Sequence, residues 1–212
     1  MALQTISRIC RVSSKNISVI SRNLTTSEQN PIYELRCYNV YPKDFKRFVD
    51  LTTEWIALRT KYSKMMGYWT SEIGGLNDVL HIWEYDSLSH RASVRKALSG
   101  DEEWAKNYFS LILPMLIRQD NSLMKLVPNT VFKTDVDKGG VYELQTITPS
   151  TDHDHHPRNI IGRFNGILGS LNTEYKLIHY PDINQIVEDK RLSRDIPGCS
   201  RLLQPCLFSP LG

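Results

Sequence analysis

The sequence predicts an α+β protein built from two tandem β-α-β-β-α-β units packed sheet to sheet, the second lacking its first helix. Three observations predict it. The first is an internal echo: Tyr33-Glu34-Leu35 returns as Tyr142-Glu143-Leu144, and the run 67–77 returns as 162–172. The echo keeps Gly67/Gly162, Gly74/Gly169, Leu76/Leu171, Asn77/Asn172 and Tyr85/Tyr180, as two copies of one supersecondary unit would. The second is the order in which apolar spacing switches between strand and helix periods. The third is a difference in length. Tyr33 and Gly67 lie 34 positions apart, whereas Tyr142 and Gly162 lie 20 apart, so fourteen residues are missing where a first helix would be.

Residues 32–41 alternate and are rich in Tyr, Cys and Val, a strand pattern. Pro42 then opens a helix at a position where its missing N–H costs nothing, and Asp44 adds a favourable charge to the first turn. Phe45, Phe48, Thr52, Trp55, Leu58 and Tyr62 share one helical face, which extends the helix to about Met66. Gly67 ends it. Residues 68–73 and 79–85 read as a hairpin around the tight turn Gly74-Gly75-Leu76-Asn77-Asp78. Ser87 or Ser89 caps a helix through Leu98, and Gly100 breaks it. A further helical segment runs from Asp101 to Arg118, with Trp104, Tyr108, Leu111, Ile112 and Met115 facing inward and Pro114 bending it. Residues 122–126 complete the unit as a fourth strand. This is the ferredoxin-like arrangement, with helices on one sheet face and the other face needing cover.

In the second unit, residues 148–157 have loop composition. Residues 160–168 and 174–180 form the hairpin, 182–192 the helix and 201–208 the last strand. The predicted organisation is a leader at 1–27, a first unit at 28–130 and a truncated second unit at 131–212. The missing helix predicts an uncovered apolar sheet face, open to self-association.

The net charge is +3, but Arg8, Arg11, Lys15 and Arg22 all precede the first acid, Glu28. Without those four charges the body stands at −1, which gives no ground for a nucleic-acid partner. An acid-free, Arg- and Ser-rich start without a continuous apolar core predicts a mitochondrial presequence. No apolar run is long enough to span a membrane as a helix. The four cysteines form no CxxC pair, so neither a disulfide framework nor a zinc knuckle is indicated.

The stretch from Glu72 to Tyr85, followed by Ser89-His90-Arg91-Ala92, resembles the NIPSNAP family. Tyr33-Glu34-Leu35-Arg36 and the terminal 202–210, with Phe208-Ser209-Pro210, fit the same pattern. The resemblance covers about residues 31–127 strongly and 140–212 weakly. It implies a mitochondrial protein, in the matrix or associated with the organelle's surface, with tandem domains forming a dimeric α+β barrel-type pseudo-dimer. It also implies protein–protein interaction, in vesicle transport or in mitophagy through autophagy adaptors and ubiquitin-like proteins. It attaches no enzymatic activity and no cofactor. Distant relatives of the fold include haem-degrading monooxygenases. The second copy departs from the pattern: Ile167 stands opposite Glu72, Lys176 opposite His81 and Ile178 opposite Trp83.

Candidate chemistry is sparse. Alternation places His81, Trp83 and Tyr85 on one side of a strand, and with Glu72 they form a candidate pocket between the two sheets for haem or another small molecule, in a monooxygenase-like role. The competing expectation is that these residues pack the core. His153, His155 and His156, with Asp152 and Asp154, lack the distant second ligand pair of a structural zinc site, so no metal site is assigned. Gly74-Gly75 lies between strands and not before a helix, which removes the phosphate-cradle reading. Arg91, Arg95 and Lys96 form a basic helical surface, a candidate partner-docking patch. No nucleophile triad or paired carboxylates are legible, so the sequence favours a non-enzymatic binding protein over an enzyme.

Overall fold

The computed structural model describes residues 31–133, 136, 139–148, 159–192 and 198–207. The leader at 1–27, the histidine-bearing stretch 152–156 and Phe208-Ser209-Pro210 lie outside the described residues. Eight strands are described: β1 Ile32–Val40, β2 Lys64–Ile73, β3 Asp78–Tyr85, β4 Leu116–Leu126, β5 Val141–Ile147, β6 Ile160–Leu168, β7 Glu174–Tyr180 and β8 Gly198–Leu207. They close into one barrel in the order β1-β3-β2-β8-β5-β7-β6-β4, and β4 pairs back onto β1. Every pairing is antiparallel, and closure leaves no free edge. The two halves run in the same order, β4-β1-β3-β2 and β8-β5-β7-β6.

Strand alternation decides what fills the barrel. Tyr33, Leu35, Trp69, Leu80, Ile82 and Met124 from the first half meet Tyr142, Leu144, Phe164, Tyr175, Leu177 and Leu203 from the second in one buried cluster. Both halves therefore share one core, and the barrel is filled by side chains, as eight strands allow. The echoed glycines make room for it. A Cβ on Gly67 would lie 2.2 Å from the Trp69 ring, and one on Gly162 would lie 2.7 Å from the Phe164 ring. In each copy the aromatic two residues on folds over the glycine. The hairpin turns repeat as well: Gly74 and Gly169 both have φ +91°, and Asn77 and Asn172 have φ 64° and 51°.

The outer face of the first half carries the helices. α1 (Phe45–Thr60) buries Phe48, Thr52, Leu58 and Arg59. α2 (Leu88–Ser99) starts at Ser87, whose hydroxyl accepts from the His90 N–H at 3.0 Å. A helical segment over 102–112, here α3, follows Asp101, which caps it through the Trp104 N–H at 2.9 Å. Its middle, Ala105–Phe109, is a π turn, and a 3-10 turn at Leu113–Met115 closes it. α4 (Asn184–Leu192) is the helix described in the second half.

Three expectations are corrected. α1 stops at Thr60, and Met65 and Met66 belong to β2. There Met65 pairs with Trp83, and the register shift before Gly67 sends Met66 inward. β4 begins at Leu116, so the stretch 116–118 read as helix is strand, and the π turn leaves Leu111 exposed at 38%. The sheet face of the second half is not bare. Lys176, Ile178 and Tyr180, which point away from the barrel interior, are 2%, 0% and 0% exposed. That face also carries the buried Glu143 and Gln145.

Candidate functional site

Both halves place a glutamate in the first strand, on the side away from the barrel interior. Glu34 is fully buried and accepts from Arg91 at 3.0 and 2.8 Å, from Asn121 at 2.7 Å and from the Tyr85 hydroxyl at 3.1 Å. Glu143 accepts from Lys190 at 2.5 Å, from the Tyr180 hydroxyl at 3.1 Å and from the Ser200 hydroxyl. The echoed tyrosines thus do the same work twice. Asn121 and Ser200 hold equivalent places, each two residues before the strand partner of its glutamate. Burial alone would raise the Glu34 pKa. The hydrogen bond from Arg91, the Arg36 charge and the Asn121 amide outweigh it and hold the carboxyl down at about 2.

Above this network, between the outer face of the first-half sheet and α1, α2 and α3, lies a cavity of about 440 Å³. Its floor is one row across three strands: Arg36 on β1 pairs with His81 on β3, which pairs with Tyr68 on β2. Tyr38, Trp83, Tyr85, Trp104, Tyr108 and Phe109 supply aromatic walls, and Arg59 and Arg95 two further cations. Among the described residues, no carboxylate lines it. The π turn of α3 contributes Ala105, Tyr108 and Phe109, a common use of such turns. Thr52 on α1 and the Tyr108 hydroxyl, 2.9 Å apart, tie the roof together.

Hydrogen bonding fixes the state of His81. The Trp83 indole N–H, which can only donate, reaches His81 Nδ1 at 2.6 Å. Nδ1 is therefore the acceptor, and the neutral ring carries its proton on Nε2. Burial, reinforced by the Arg36 and Arg59 charges, pushes the His81 pKa well below its ordinary 6.5, so the ring is neutral at physiological pH. Tyr68 stacks on it with ring centroids 4.7 Å apart, and Tyr38 meets it edge-on at 4.8 Å. Arg59 is buried over the Trp83 ring at 4.1 Å and donates to Ser63 at 2.6 Å and to the Tyr85 hydroxyl at 2.8 Å.

His81, Trp83 and Tyr85 thus share a face and a cavity, but the face is the one under the helices. The pocket lies outside the barrel, not between the two sheets. Leu80 and Ile82 take the interior because both faces of β3 are apolar, and alternation alone does not choose between them. Glu72 does not belong to the pocket: it is exposed in β2 and accepts from Gln204 at 3.3 Å. Of the basic patch, Arg91 is spent on Glu34, Arg95 borders the cavity, and Lys96 is exposed. Sequence reading missed Arg36, Arg59, Tyr38, Tyr68 and Glu34. A charged Glu repeated inside two apolar strands was the available signal for the last. Haem ligation through His81 does not fit the ring as held, since its unshared nitrogen already bears the proton. Among the described residues, no cluster of three His, Cys, Asp or Glu is placed to hold a metal, and no helix is long and apolar enough to cross a membrane.

Fold and site together define a class: a closed antiparallel α+β barrel with a cationic, aromatic-walled cavity beneath the helices of one half. A Fusobacterium nucleatum candidate monooxygenase shares the fold, with a TM-score of 0.58 and 11% identity over 86% of this chain and 95% of that one. Residues 33–130 match the NIPSNAP family model. Human NipSnap homolog 3A is 35% identical over 153 residues, 68% of this chain and 62% of that protein. Mouse NipSnap homolog 3B is 42% identical over 115 residues, 54% and 46% of the two chains. The chain belongs to the NIPSNAP family, and it spans about three-fifths or less of the length of these curated relatives.

Proposed function

We propose that this chain is a mitochondrial NIPSNAP protein that binds a small molecule in the cavity under α1, α2 and α3. The observation that carries this reading is the cavity itself. Its volume of about 440 Å³ falls within the usual range for ligand sites, and it joins apolar walls to a few convergent polar groups. The barrel is a pseudo-dimer of two ferredoxin-like units in this reading. The repeated strand order and the paired Glu34 and Glu143 networks support that duplication. Only the first unit carries the site, because Lys176 and Ile178 replace His81 and Trp83 in the second. The acid-free leader supports mitochondrial import.

The test is a fragment screen by ligand-observed NMR on the full-length chain. It is repeated on Ala105→Trp, which fills the cavity from an exposed backbone position. Fragments that bind the native chain and fail to bind the variant bear the reading out. Fragments that bind both equally refute it. Import of the full chain into isolated mitochondria, and its loss on deletion of residues 1–27, checks the location.

A second reading is docking of other proteins, in mitochondrial quality control or vesicle transport. Exposed Arg95 and Lys96 on α2 favour it. Adaptor capture that survives Arg95→Glu combined with Lys96→Glu counts against this surface.

A further inference from the structure

Three buried side-chain polar atoms among the described residues lack a hydrogen-bond partner: Arg36 Nε, Tyr68 Oη and His81 Nε2. All three residues line the one cavity, and they form its floor row across β1, β3 and β2. Buried polar groups are normally satisfied, so three orphans in adjacent positions are an unusual concentration. Solvent does not reach these atoms, and bulk water does not complete them.

Their chemistry is one-sided. Arg36 Nε can only donate. His81 Nε2 carries the ring proton, because Nδ1 is already used as the acceptor of the Trp83 N–H. The Tyr68 hydroxyl, held protonated by burial, can donate as well. The charge is one-sided too. Arg36, Arg59 and Arg95 line the cavity, and no carboxylate among the described residues does. Glu34, the carboxylate beside Arg36, is engaged by Arg91, Asn121 and Tyr85, with Arg36 Nη1 only at 3.5 Å. Among the described residues, Arg59 has hydroxyl partners but no carboxylate.

We propose that the cavity takes a small molecule with an acceptor-only anionic head, a carboxylate or equivalent oxyanion, seated on the Arg36–His81–Tyr68 row with a flat apolar body among the aromatic walls. This inference rests on the binding function proposed above. A charged acceptor matches the donor character of this row and neutralises the guanidinium excess. A neutral amide brings its own donors against a donor floor, and an ammonium ion meets three cations.

The experiment titrates the full-length chain with 2-naphthoate, 2-naphthamide and 2-naphthylmethylamine, followed by NMR. Tyr68→Phe serves as the main variant, because it removes one hydroxyl and leaves the ring stack on His81. Ala105→Trp runs in parallel. The expected result is naphthoate binding about tenfold or more tighter than the amide, weakened about tenfold by Tyr68→Phe and abolished by Ala105→Trp. Amide or amine binding as tight as naphthoate, abolished by Ala105→Trp, overturns the anionic head and leaves the binding function standing. Binding unchanged in Ala105→Trp, or no binding by any of the three probes, overturns the inference, the former taking the cavity reading with it.

Discussion

Replacing Glu34 by Gln isolates one buried electrostatic contribution in the first half. An ordinary glutamate titrates at 4.5, whereas Glu34 titrates at about 2. At about 1.4 kcal/mol per pH unit, ionised Glu34 contributes about 3 kcal/mol to folding stability. Its folded pKa is depressed, so this stability is fully present above pH 4.5 and drains away as the pH falls through about 2. Glutamine keeps the shape and one acceptor, but leaves the half-buried Arg91 against a neutral group. Removing one partner of a buried pair costs a similar amount by itself. Urea unfolding of the native chain and the variant should therefore differ by about 3 kcal/mol at pH 7. In thermal unfolding the gap corresponds to about 6–12 °C for a chain of this size. The gap should shrink from pH 4.5 downward and approach zero near pH 2. A gap that stays constant over that range would mean that the carboxylate's charge is not what the network holds, and the argument fails.

Other consequences follow from the same geometry. Gly67→Ala should destabilise the chain by about 1–3 kcal/mol by driving a methyl into the Trp69 ring, and Gly162→Ala should do so through Phe164, both measured by urea unfolding. Gly74→Ala and Gly169→Ala should each cost about 1 kcal/mol or more and match one another. Both glycines have φ +91°, and a Cβ would sit 2.7 Å from the Ser200 carbonyl oxygen or 2.8 Å from that of Asn121. Nitrogen-15 NMR of the imidazoles should show His81 as the neutral Nε2–H tautomer and still uncharged at pH 6. Trp83→Phe should release the tautomer by removing the donor to Nδ1.

The repeat was legible because its marks are backbone constraints. Gly67, Gly74, Asn77 and their copies sit where a side chain would collide or where φ is positive, and those needs leave the same letters twice. The closed strand order was not spelled out. It depends on β2 meeting β8 and β4 meeting β6, contacts between strands far apart in sequence. The face of β3 was not legible either, since Leu80 and Ile82 are as apolar as the set His81, Trp83 and Tyr85. Arg59 and Arg36 escaped notice because arginines on helices and strands ordinarily read as solvent-facing. Only the fold stacks one on Trp83 and sets the other beside Glu34. The end of α1 was overrun because Tyr62 and Met66 continue its period into a strand.

The most direct test of the account is a crystal structure of the full-length chain with the tightest-binding fragment from the screen. The account predicts density between the outer sheet face and α3, in contact with Tyr68 and His81. Density inside the barrel, among Tyr33, Trp69 and Phe164, would contradict it.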